Sequence, residues 1–199
     1  MKIAIGTMAA GLALAMAVPV QADQGDWLAR ARLIEVRPSV SSTTGTLGAS
    51  NEVVPELDFT YFLTNNLAAE LILATNRHTI TAAGASLGKV SLLPPTLTLQ
   101  YHFAPKDTLR PYVGVGVNYT RFYNASLYLG GTPLNVDNSS FGGALQAGFD
   151  YALDKKWFLN FDVKKIYIKT DVTNASTGAF VSQLKLDPVI VGIGVGLKF

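Results

Sequence analysis

Large apolar residues alternate with small or polar ones along the segment 189–199, where Val189, Val191, Ile193, Val195, Leu197 and Phe199 are separated by Ile190, Gly192, Gly194, Gly196 and Lys198. A period of two belongs to a strand with unlike faces. The same alternation, punctuated by turn residues, predicts strands over 27–37, 52–63, 67–78, 92–103, 110–122, 139–152, 156–170 and 185–199. The connections at 64–66, 104–109 and 153–155 are short. Those at 38–51, 79–91, 123–138 and 171–184 are long and rich in Ser, Thr, Asn, Gly and Ala. An even strand number with alternating short and long connections predicts an all-β fold, an eight-stranded antiparallel transmembrane β-barrel with short turns in the periplasm and long loops outside.

Parity assigns the faces. Leu57, Phe59, Tyr61 and Leu63 share one face of their strand, as do Leu93, Leu97, Leu99, Tyr101 and Phe103, then Val113, Val115, Val117 and Tyr119, then Trp157, Leu159, Phe161 and Val163. These are expected to face lipid. The opposite faces carry Arg30, Arg32, Glu56, Asp58, Glu70, His102, Asp150, Asp162, Lys164 and Lys198. Eight strands enclose an interior just wide enough for side chains, so these charges are expected to interlock as a polar plug, with Gly192, Gly194 and Gly196 making room for them. Towards the long-loop ends the inward parity falls on Ile34, Val36, Val54, Leu92, Phe122, Ile166 and Ile168, which predicts an apolar channel lining above a polar floor. A bulge near Lys164-Lys165 would swap the faces of Ile166 and Ile168. Pro55, Pro94 and Pro95 interrupt two strands at one outer level. Because proline donates no ladder hydrogen bond, they mark either strand ends or a lateral opening in the wall.

The first 22 residues read as a cleaved signal peptide: Lys2, an apolar run from Ile3 to Val18, and Val20-Gln21-Ala22 before the cut. Residues 23–199 then form a single outer-membrane barrel domain. Losing Lys2 leaves 15 basic residues against 14 acidic ones, a balance that makes no case for nucleic acid. With no cysteine, a disulfide framework, a thiolate metal site and a cysteine nucleophile are excluded. Mean hydropathy is +0.27, yet no stretch beyond the signal is long enough for a spanning helix.

Several long motifs then carry a family likeness. Val54-Pro55-Glu56-Leu57-Asp58-Phe59-Thr60-Tyr61-Phe62, Leu92-Leu93-Pro94-Pro95-Thr96-Leu97-Thr98-Leu99-Gln100-Tyr101-His102-Phe103 and Asp162-Val163-Lys164-Lys165-Ile166-Tyr167-Ile168 closely resemble the OmpW family of outer-membrane proteins, as do Arg110-Pro111-Tyr112-Val113-Gly114 and Leu186-Asp187-Pro188. The resemblance implies a hydrophobic channel through which small apolar molecules enter from outside and leave sideways towards the membrane. The partners expected are outer-membrane lipid and lipopolysaccharide, a small hydrophobic ligand, and the barrel-assembly machinery, engaged through the strand ending in Phe199.

Catalysis finds little support. His102 is expected low in the barrel, hydrogen-bonded to Asp58 or another carboxylate. His78 could meet Ser86 or Ser91 near the outer rim, but no nucleophile motif surrounds them. Two histidines at opposite ends make no metal site, and no cofactor is implied. A passive uptake conduit is the leading expectation. A structural or surface-interaction barrel presenting its loops and a low-conductance ion pore are the alternatives.

Overall fold

A computed structural model describes residues 23–199; the expected signal peptide lies outside the described residues. In chain order the strands are β1 (Trp27–Arg37), β2 (Ser41–Ser42), β3 (Leu47–Ala49), β4 (Glu52–Phe62), β5 (Leu67–Ala74), β6 (Asn76–Ala82), β7 (Ala85–Leu93), β8 (Thr96–His102), β9 (Leu109–Leu129), β10 (Thr132–Val136), β11 (Ser139–Ala152), β12 (Trp157–Ile166), β13 (Lys169–Asn174), β14 (Phe180–Lys185) and β15 (Val189–Lys198). Eight of them close an antiparallel barrel: β1 pairs with β4, then β5, β8, β9, β11, β12 and β15, which returns to β1 through ten registered pairs from Leu28↔Lys198 to Arg37↔Val189. Closure leaves no sheet edge in lipid, where an unpaired backbone group would be costly.

The remaining strands build a second storey on top of the first. β3 pairs with β6, β6 with β7, β7 with the upper half of β9, β9 with β10, β10 with β13, β13 with β14 and β14 with β2. This corrects the expectation of four long loops: 79–91, 123–138 and 171–184 are largely strand. They escaped detection because their outward positions face water, so Thr, Ser and Asn take the places that Leu and Val hold below. The storey's hairpins turn tightly. Gly130 and Gly131 join β9 to β10 with φ of 56° and 83°, a left-handed pair of the kind that glycine adopts without steric cost.

The two storeys are chemical inversions of each other. Below, Leu57, Leu97, Val115, Leu159 and Ile193 point outwards and are exposed, while charged and amide side chains fill the inside. Above, Ile80, Val90, Leu127, Leu134, Val172 and Leu184 are buried inside. Over 164–168 the strand parity does not slip at the junction, whereas β7 breaks its register with β9 between Lys89 and Ser91, where Val90, Ser91 and Leu92 are all buried. Lys164, Ile166 and Ile168 are all buried, so Ile166 and Ile168 face inwards as the uninterrupted register requires. What changes is the solvent outside the wall, from lipid to water, and the apolar residues change sides with it.

Candidate functional site

The lumen of the lower storey has three layers. At its periplasmic end Leu28, Phe62, Ala68 and Phe158 form an apolar cap. The expected polar floor therefore has an apolar base. Gly196 allows this packing, since a Cβ there would lie 2.1 Å from the Phe158 ring.

Above the cap sits the plug. Arg30 donates from Nε and Nη2 to Asp150 Oδ1 and Oδ2 at 3.2 and 2.9 Å, and from Nη1 to Asp58 Oδ1 at 3.0 Å and Thr60 Oγ1 at 2.7 Å. Its guanidinium also lies over the rings of Tyr112 and Phe158. Arg32 donates from Nη2 to Asp58 and to Glu70 Oε1, the latter at 3.0 Å, and from Nη1 to Asn160 Oδ1 at 3.0 Å. Its Nε lies 2.8 Å from Glu56 Oε1, an ion-pair contact without an aligned hydrogen bond. Lys164 Nζ lies 2.7 Å from Glu56 Oε1 and 2.8 Å from Asp162 Oδ1. Neutral groups complete the network: Gln100 Nε2 and Thr98 Oγ1 donate to Glu70 Oε2, and Tyr112 OH and Gln146 Nε2 donate to Asp162 Oδ2. Buried charges held this densely are expensive to separate.

Two sequence expectations need correction here. Lys198 is outside the plug: it pairs with Asp26 at 2.6 Å on the half-exposed periplasmic rim, because the strand is already at its end there. His102 bonds Gln100 Oε1 at 3.1 Å rather than a carboxylate, with its ring packed against Phe62 and Tyr112. Arg110 and Tyr112 are buried members of this layer that parity could have found, since both share inward parity with Gly114.

Over the plug, Ile34, Val36, Leu92, Phe122, Ile166 and Ile168 pack into one apolar cluster, with Val54 at its margin. Of these, Val36, Leu92, Ile166 and Ile168 border a waist cavity of only about 20 Å³. Its polar members are Asn76 and His78. His78 donates from Nδ1 to the Ser50 carbonyl at 2.7 Å, and this backbone bond takes the place of the serine-hydroxyl partner considered above. The roomier space lies higher. A cavity of about 270 Å³ opens between the upper strands, lined by Leu47, Ile80, Leu127, Leu134, Val172 and Leu184 among others. Those residues lie in segments that the sequence presents as loops, and only the tertiary pairing brings them together.

The wall is interrupted at the junction of the storeys. Between the second and third walls of the barrel, the β4–β5 ladder ends at Glu56↔Ala74 and the β3–β6 ladder begins at Ala49↔Ile80. Pro55 sits at this seam and is exposed. The Pro94-Pro95 break is stitched on one side: Asn118 Nδ2 donates to the Pro94 carbonyl at 3.2 Å, and the Tyr119 backbone N–H donates to that of Pro95 at 3.1 Å. Among the described residues, no group of three His, Cys, Asp or Glu side chains is arranged to hold a metal.

Residues 23–199 match the model of the OmpW family. The chain is 44% identical over 190 residues to an uncharacterized outer-membrane protein, y4mB, of Sinorhizobium fredii, covering 90% of this chain and 82% of the relative. It is 28% identical over 202 residues to the dibenzothiophene metabolism operon protein PahQ of Pseudomonas aeruginosa, covering 92% and 93%. The crystal structure of the outer-membrane protein OprG from Pseudomonas aeruginosa superposes with a TM-score of 0.80 at 26% identity, covering 91% of this chain and 99% of that one.

Proposed function

The chain belongs to the OmpW family of outer-membrane barrels, and from that premise we propose that it is a passive conduit for small apolar molecules. They enter the upper cavity from outside and leave sideways at the Pro55 seam. The observation that carries this reading is the stacking of an apolar cavity of about 270 Å³ on a lumen filled by ion pairs. A ligand in the cavity has no axial path, because the plug and the apolar cap beneath it fill the barrel. The seam beside Pro55 is where the wall lacks a continuous ladder at the level to which the ligand descends.

Energetics favour transit over storage. Burying about 200 Å² of apolar ligand surface at roughly 25 cal/mol per Å² gives about 5 kcal/mol, a Kd of roughly 0.2 mM before ordering costs. Such a ligand enters and leaves readily. The relative whose name refers to dibenzothiophene metabolism supports an apolar cargo.

The test is uptake of labelled octane by cells producing the wild-type chain or Leu134→Asp, with folded amounts matched by heat-modifiable gel mobility. Leu134 lines the cavity and lies in the water-facing storey, so the substitution leaves the membrane barrel intact. Wild-type acceleration lost in the variant is the expected result. Equal uptake by both would remove the conduit reading.

A further inference from the structure

On the outer wall, at the junction of the storeys, Lys169 of β13 and Lys185 of β14 stand directly opposite each other in register. Both side chains are exposed. Like charges at directly opposed cross-strand positions repel, and among the described residues neither ammonium forms an ion pair. They border a groove of about 270 Å³ that also contains Phe141, Gly142, Tyr167 and Asp187. The acidic member is already engaged, since Asp187 Oδ1 accepts the Ile168 backbone N–H at 2.9 Å and the Asp187 carbonyl accepts Lys165 Nζ.

The height of this groove is set by the lipid-facing ladder. Trp157, Leu159, Phe161 and Val163 climb one face, and Tyr167 continues that parity ten residues above Trp157. Ten residues at roughly 3.3 Å each, tilted about 40°, rise about 25 Å, the height of the apolar band between the two aromatic girdles of such barrels. Tyr167 and the exposed Phe141 are thus at the outer girdle, and Lys169 and Lys185 lie one step above it, where headgroup phosphates lie. Lys165, within the band, turns its ammonium up to the Asp187 carbonyl, as a long cationic side chain does below an interface.

We propose that this groove binds the phosphorylated glycolipid headgroup of the outer leaflet. One phosphate sits between Lys169 and Lys185 and converts their repulsion into two charge-assisted contacts, while an acyl chain lies along Phe141 and Tyr167. The site is on the outside of the wall and is separate from the upper cavity.

Native mass spectrometry of the folded chain in detergent tests this with bisphosphorylated lipid A, its dephosphorylated form and inorganic phosphate as probes. The variants are K169Q/K185Q and, as a control of equal charge change at the periplasmic turn, K155Q/K156Q. The site predicts retention of bisphosphorylated lipid A by the wild type and the control, and retention about thirtyfold weaker in K169Q/K185Q. Without lipid, K169Q/K185Q should unfold no earlier than the wild type, because it relieves repulsion; with lipid A only the wild type and the control should gain thermal stability. Equal retention by K169Q/K185Q, equal retention of the dephosphorylated lipid, or displacement by millimolar inorganic phosphate would each overturn the proposal, the last by assigning the site to free phosphate.

Discussion

Arg32 donates a hydrogen bond to Glu70 at 3.0 Å across the barrel interior, joining β1 to β5, which are not neighbours in the sheet. The same guanidinium contacts Asp58, Glu56 and Asn160, so one side chain ties together charges projecting from several walls. Arg32→Met strands these carboxylates in a filled interior. We expect it to cost about 3–5 kcal/mol, the range for breaking a buried pair from one side, and to lower the urea midpoint of the detergent-folded protein accordingly. Glu70→Gln keeps an acceptor for Arg32 and should cost less. A double-mutant cycle on the two residues should give a coupling of at least about 0.5 kcal/mol.

Gly194 marks a place where two walls approach closely beside the plug. A Cβ there would stand 2.1 Å from the Ala31 carbonyl oxygen and 2.7 Å from the Arg32 Cα. Backbone must move to admit it, so Gly194→Ala should destabilise by about 1–3 kcal/mol, as overpacking does. Gly45→Ala is the comparison: nothing lies within 4 Å of its added Cβ, and its cost comes only from its φ of 72°. Thermal loss of the compact gel band should come earlier in Gly194→Ala.

The upper storey is held by an apolar cluster that continues down into the barrel waist, and Leu127 is a buried member of its upper part. Leu127→Ala should cost about 2–5 kcal/mol locally. The same cluster reaches down only to the upper ends of the barrel strands, at Ala144 of β11 and Ile166 of β12, so the loss should appear as faster amide exchange in β6, β7 and β10 with protection retained in the lower parts of β11 and β12, beside the plug. Uniform loss of protection would show instead that the storeys unfold as one unit.

At the periplasmic turn Asp154 Oδ1 accepts the backbone N–H groups of Trp157 and Lys156 at 2.8 and 2.7 Å. These bonds hold its carboxyl below the usual range, the Trp157 contribution being the larger. A depressed folded pKa means that the contribution is complete above the unfolded value, near pH 4, and disappears as pH falls through the lower folded value. Asp154→Asn should therefore narrow the stability difference from wild type as the pH is lowered below about 4, measured as unfolding rate in detergent. A constant difference from pH 7 to pH 2 would show that the turn does not depend on the charge.

Much of the lower storey was legible because lipid outside and a filled lumen inside impose opposite chemistry on alternate residues. The strand at 27–37 coincides with β1 and that at 139–152 with β11, and nine of the ten expected plug residues, from Arg30 to Lys164, are buried together. Lys198 failed because parity specifies a face and not a depth: at the end of β15 an inward position opens onto the rim. The upper strands failed because water outside them removes the apolar alternation that identified the others. Thr79 and Thr81 around Ile80, or Thr173 after Val172, carry the same inside-outside information in weaker form.

Taken alone, the order of residues determined the strand parity of the lower storey, the even closure and the concentration of charge in the lumen, since each follows from local alternation with a period of two. The partners within the plug and the position of the large cavity were decided by tertiary structure. Arg32 finds Glu70, and Ile80 finds Leu134 and Leu184, only because closure of the barrel and the shear between its strands bring distant segments to one height, and neither height nor cross-barrel distance is encoded in the alternation of a single strand.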